Sequence, residues 1–109
     1  MGVNVVRYRT KPDRGDENQA LIEEVFVELD ANRPEGLRYA SFRLADGVSF
    51  VHVAAVDTTD GQNPLTATPA FQAFTAAIAE RCDEPPVAVP ATIVGSYGFD
   101  LAAASGADR

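Results

Sequence analysis

A two-layer α+β fold, with four antiparallel strands and two helices on one face, is the expectation set by three features of the sequence. Two segments carry apolar residues at helical spacing, four short runs are rich in β-branched and aromatic residues, and the middle two runs flank Asp46-Gly47. That dipeptide tolerates the positive φ of a tight hairpin turn, so the two runs should pair antiparallel. A length of 109 residues with 46% apolar content fits one domain with one core. Residues 1–100 are read as that domain and 101–109 as a mobile tail with nothing to bury.

The first strand is expected over Val3 to Arg9, ended by Lys11-Pro12-Asp13-Arg14-Gly15. Asp16 followed by Gln19 resembles a capping box, which would open a helix by satisfying its first free N–H groups. Leu21, Ile22, Val25, Phe26 and Leu29 form that helix's apolar stripe, and Asn32-Arg33-Pro34 closes it. Leu37 to Leu44 and Val48 to Val56 are the hairpin strands. Asp57 to Pro64 is a polar loop, either a plain connection or a lip over a site. Thr68-Pro69 starts a second helix, with Phe71, Phe74, Ile78 and Cys82 as its buried stripe and Asp83-Glu84-Pro85-Pro86 as its stop. Val87 to Phe99 is the last strand, placed at an edge because Pro90 cannot donate to a ladder. The order β-α-β-β-α-β is the ferredoxin-like pattern, and right-handed crossovers put the first and third strands in the middle of the sheet.

The third strand alternates Phe50, His52, Ala54 and Val56 on one face with Val51, Val53 and Ala55 on the other. Both faces are largely apolar, yet two helices cover only one. A second copy of the sheet is the simplest cover for the other face, which predicts a homodimer.

Composition excludes several function classes. A net charge of −7, from nine Lys plus Arg against sixteen Asp plus Glu, opposes nucleic-acid and anionic-membrane binding. One Cys cannot form an internal disulfide, and one His and one Cys without clustered carboxylates do not make a metal site, so neither metal nor cofactor is expected. The amino-terminal residues lack the charged lead and apolar run of a secretion signal, and a cytoplasmic location is expected. Gly95-Ser96-Tyr97-Gly98 is not a hydrolase nucleophile elbow, and no glycine-rich phosphate loop joins a strand to a helix.

Val3-Asn4-Val5-Val6-Arg7-Tyr8, the Pro-Glu-Gly-Leu-Arg-Tyr helix exit at 34–39, Phe50-Val51-His52-Val53, and the stretch from Asn63-Pro64-Leu65 to Phe71-Gln72-Ala73-Phe74 carry a resemblance. From Val3 to Phe99 the chain resembles the dimeric α+β barrel superfamily and, within it, the small antibiotic biosynthesis monooxygenase-like proteins. The resemblance implies two ferredoxin-like subunits with facing sheets and a small-molecule pocket in each. It also implies activities that range from cofactor-independent oxygenation of aromatic polyketides to haem degradation and isomerisation. Several of those oxygenases and haem degraders place a Trp in the pocket, and this chain has none. The implied function is binding of an aromatic or polyketide-like small molecule, as cofactor-independent monooxygenases do. The alternative is a non-catalytic ligand-binding or accessory homodimer.

His52 is the one side chain whose ordinary pKa, about 6.5, lets it exchange a proton near neutrality. It is the candidate general base, able to deprotonate a phenol and leave an anion that reacts with dioxygen. Its structural alternative is a hydrogen-bonded histidine of the core or dimer interface. Tyr8, Tyr39 and Tyr97 are candidates for orienting a substrate oxygen, with Tyr97 favoured because Gly95 and Gly98 suggest a bulge beside it. Arg7, Arg9, Arg38 and Arg43 are expected to pair with carboxylates across strands or between subunits, and Cys82 to pack as a buried thiol.

Overall fold

A computed structural model describes residues 2–98. The elements are β1 (Gly2–Thr10), α1 (Gly15–Asn32), β2 (Leu37–Arg43), β3 (Ser49–Val56), α2 (Pro69–Ala76), α3 (Ile78–Arg81) and β4 (Cys82–Ala91). The sheet order is β2-β3-β1-β4 with every pair antiparallel, so β1 and β3 lie in the middle as expected. Phe99 and the expected tail from 101 to 109 fall outside the described residues.

The hairpin between β2 and β3 forms where Asp46-Gly47 puts it. Gly47 has φ of 79°, and the Asp46 carboxylate accepts from the Val48 N–H at 3.0 Å, the Ser49 N–H at 2.8 Å and the Ser49 hydroxyl at 2.6 Å. These bonds, the Ser49 hydroxyl foremost, hold the Asp46 carboxyl down at about 2. Gly36, which leads into β2, is equally constrained: its φ is 79° and a Cβ there would meet the Asp57 carbonyl oxygen at 2.5 Å.

Helix α1 ends at Arg33, which adopts left-handed φ of 47° and returns its N–H to the Leu29 carbonyl at 2.7 Å. Its start differs from the expected capping box. The cap position is Arg14, without a side-chain cap, while Asp16 and Gln19 both serve Arg43, whose Nη1 donates to them at 3.0 and 2.7 Å. A cation reached from β2 therefore outcompetes the local backbone for both side chains. Pro69 occupies the first turn of α2 as expected, but Thr68 spends its hydroxyl on the Pro64 carbonyl at 2.9 Å. The α2 start is instead satisfied by Glu28 of α1, whose carboxylate accepts from the Ala70 N–H at 2.9 Å.

The second helix is shorter than expected. It breaks at Ala77, and after α3 the chain enters β4 at Cys82. Asp83-Glu84-Pro85-Pro86, read from sequence as a stop, lies inside the strand. Arg9 pairs with Glu84 across β1 and β4 at 2.9 Å, and register shifts near Arg9 absorb the irregularity. Being an edge strand, β4 tolerates its prolines. It also ends at Ala91, short of the expected Phe99.

Both helix-bearing connections pack on the face that carries Tyr8, Phe50 and His52. There Ile22, Val25, Leu65, Phe74 and Cys82 complete a buried core. On the opposite face the register aligns Ala40, Val53, Val5 and Val89 in one row across all four strands. Phe42, Val51, Arg7 and Val87 form the next row. Val87 and Val89 are 60% and 53% exposed, so an apolar sheet face lies open in the single chain. Among the described residues no helix is long and apolar enough to cross a membrane.

Candidate functional site

Period-two alternation sets which side chains can meet. Val6 of β1 pairs with His52 of β3, and Ser41 of β2 pairs with His52 from the other side. Tyr8, two residues beyond Val6, and Tyr39, two before Ser41, consequently share the helix-covered face with the imidazole.

Both ring nitrogens of His52 are engaged. Nε2 is hydrogen-bonded to the Tyr8 hydroxyl at 2.8 Å. Nδ1 lies 2.6 Å from the Tyr39 hydroxyl and 2.9 Å from that of Ser41. The network continues into the helical layer, where Asn18 Nδ2 donates to the Tyr8 oxygen at 2.8 Å and Arg81 Nε donates to Asn18 Oδ1 at 3.1 Å. Arg81 Nη2 donates to the Phe74 carbonyl at 2.6 Å, taking an acceptor that the break at Ala77 frees. The guanidinium also lies 5.4 Å from the Phe74 ring centroid. Arg81 is only 1% exposed and both of its hydrogen-bond acceptors are neutral.

Beside this network is a cavity of about 300 Å³. Tyr8, Tyr39 and His52 reach its wall from the sheet, and Leu65, Phe71 and Phe74 reach it from the helical side. The wall is almost entirely apolar, since the polar atoms of the tyrosines and histidine are turned to one another. Side chains of the chain itself do not fill this space. None of Asp57 to Pro64 lines the cavity, whereas Leu65, the next residue, does.

Burial makes the site hostile to ions. His52 is held down at about 4 by desolvation of its charged form. Tyr39 is pushed up to about 12 by burial, and Tyr8 is raised further, again chiefly by burial. All three groups are neutral near neutral pH. Relative to a solvated imidazole, protonating His52 costs roughly 3 kcal/mol more. Because hydroxyls cap both nitrogens, a proton passing between a ligand and His52 has to cross one of them.

The sequence-based candidates divide sharply. Tyr8 and Tyr39 converge on His52, but Tyr97 lies beyond the end of β4 and is 100% exposed. Its flanking glycines mark no bulge in a strand. Arg9 and Arg43 pair with Glu84 and Asp16, and Cys82 is buried with its thiol pKa raised by desolvation. Three members of the network escaped the sequence reading: Asn18, Ser41 and Arg81. A usable signal existed for two of them. Asn18 falls four residues before Ile22 on the buried stripe of α1, and Arg81 falls three after Ile78. A polar group in line with apolar ones needs a buried partner.

No family model matches the chain, and no curated protein matches it in sequence. Among solved structures, a Nitrosomonas europaea protein provisionally named an antibiotic biosynthesis monooxygenase superposes with a TM-score of 0.71. It is 20% identical, over 87% of this chain and all (100%) of that one. Rv0793 from Mycobacterium tuberculosis gives 0.68 at 18% identity, over 90% of this chain and 100% of its own. A variant of SnoaB, a cofactor-independent oxygenase from Streptomyces nogalater, gives 0.64 at 17% identity, over 89% and 96% of the two chains. At these identities the likeness is one of fold. The chain has the ferredoxin-like α+β fold of the antibiotic biosynthesis monooxygenase-like structures.

Proposed function

We propose that this chain binds an aromatic or polyketide-like small molecule in the cavity beside His52. The observation that carries this reading is the cavity itself: about 300 Å³ of apolar space walled by Tyr8, Tyr39, Phe71 and Phe74 beside the His52 network. An apolar wall favours a ligand with a flat hydrocarbon body and few polar groups, because each unmatched polar atom would lose its hydration on entry.

Cofactor-independent oxygenation of that molecule is the catalytic extension, and the fold shared with SnoaB supports it. In this role His52 is the proton acceptor, reached through a tyrosine hydroxyl. The ligand anion so formed is the reductant for dioxygen. The depressed basicity of His52 works against this step, so it suits only an acidic ligand. Tyr97 is not required, because Tyr8 and Tyr39 already adjoin the imidazole. The almost all-apolar wall favours the second reading, a non-catalytic binding or accessory protein.

The open sheet face supports a homodimer in which the Ala40-Val53-Val5-Val89 row packs against its symmetry mate. The single, unpaired cysteine supports a reducing, cytoplasmic setting.

A thermal-shift screen with phenolic, quinone and polyketide-like compounds tests the reading, since a ligand of the native state raises the melting temperature. A saturable rise is expected for at least one compound, and oxygen uptake with that compound then separates oxygenase from binding protein. A cooperatively melting protein that responds to none of them would overturn the small-molecule reading.

A further inference from the structure

We infer that Asn18 and Arg81 are positioning residues: they set the direction of the hydrogen-bond network and so hold His52 as the tautomer protonated on Nδ1. The inference concerns the site proposed above for a ligand and deepens that reading. Its test is run on the ligand-free protein, so failure of either leaves the other standing.

The direction follows from donor counting. A guanidinium only donates, so the Asn18 atom 3.1 Å from Arg81 Nε is the carbonyl oxygen. The amide nitrogen is thereby turned to Tyr8 and donates to its oxygen at 2.8 Å. Tyr8 is 2% exposed, and its remaining near neighbour in the network is His52 Nε2 at 2.8 Å. Were Nε2 to carry a proton, the Tyr8 oxygen would accept from both sides and its own proton would be stranded in the core, a loss of about 1–3 kcal/mol. Tyr8 therefore donates to an unprotonated Nε2. The neutral imidazole keeps its proton on Nδ1, where the Tyr39 and Ser41 oxygens stand ready to accept it.

One fixed cation thus orients five groups from three strands and one helix: Arg81 to Asn18, Asn18 to Tyr8, Tyr8 to His52, and His52 to Tyr39 or Ser41. Its burial gives it that authority. With only 1% of its surface exposed, Arg81 cannot exchange Asn18 for water without opening the core. The functional consequence is directional. A neutral imidazole takes up a proton at its bare nitrogen, so proton uptake by His52 runs through Tyr8, while the Nδ1 side serves only as a donor.

His52 is the chain's single histidine, which makes the test direct. In untagged, uniformly ¹⁵N-labelled protein at pH 7.5, long-range ¹H–¹⁵N correlation spectra report both ring nitrogens. The wild type is expected to show Nδ1 at a protonated-type shift and Nε2 at an unprotonated-type shift. Asn18→Asp replaces the donor facing Tyr8 by an acceptor and leaves Arg81 a partner. The Tyr8 proton then turns to the new carboxylate, and the two nitrogen shifts should exchange places. A wild type protonated on Nε2 would overturn the inference. So would Asn18→Asp spectra with the wild-type pair of shifts.

Discussion

The Tyr8 hydroxyl and His52 Nε2 lie 2.8 Å apart across the two inner strands, joining residues separated by 44 positions in sequence. The contact exists because β1 and β3 run antiparallel in a register that puts both side chains under the helices. It couples the chain's one titratable imidazole to a buried hydrogen-bond network and an adjoining apolar cavity.

Removing the imidazole should be costly. His52→Ala leaves the Tyr8, Tyr39 and Ser41 hydroxyls without their shared partner, and stability in urea should fall by about 2–3 kcal/mol at fixed protein concentration. Tyr97→Phe, at a position 100% exposed, should stay within about 0.5 kcal/mol of wild type. Equal losses from the two substitutions would contradict the site assignment.

The low pKa of His52 makes stability depend on pH. The unfolded histidine takes its proton near pH 6.5, whereas the folded one resists until about pH 4. Between those values the unfolded state holds more protons, so stability falls as the pH is lowered through the window. The loss approaches about 3 kcal/mol at its lower end. Asp46, whose folded pKa lies at about 2, adds a further loss only below the ordinary carboxylate range. Urea titrations from pH 7.5 to 4.5 should show this slope in wild type. His52→Gln should flatten it.

Much of this arrangement is legible in the sequence, and the limits have physical causes. Strand parity alone puts Phe50, His52 and Ala54 on one face, and the crossover rule puts β1 and β3 in the middle. Asp46-Gly47 and Pro69 mark a turn and a helix start because their backbone chemistry is local. The capping box fails because Arg43, far off in sequence, takes both Asp16 and Gln19. The second helix ends early, at Ala77, and the Phe74 carbonyl that this break frees is taken by Arg81 rather than by an intrahelical donor. In both places a side chain reaches between elements, which no local pattern records. The preference for Tyr97 rested on neighbouring glycines, and those lie outside any strand.

The open sheet face carries its own expectation. Val53→Glu places a carboxylate in the middle of the apolar row between Ala40 and Val5. Light scattering should report a dimer for wild type and a monomer for the variant, with the fold preserved by circular dichroism. A wild-type monomer at micromolar concentration would contradict the dimer.

The cavity is tested most directly by calorimetry with 1-naphthol, a two-ring phenol, on wild type and on Ala54→Phe. Ala54 lies on the cavity wall, so the larger ring occupies the space itself. Saturable binding of one molecule per chain by wild type, abolished in Ala54→Phe, is the expected result. Absence of saturable binding to wild type, or equal binding by both proteins, would contradict the assignment of this cavity as the ligand site.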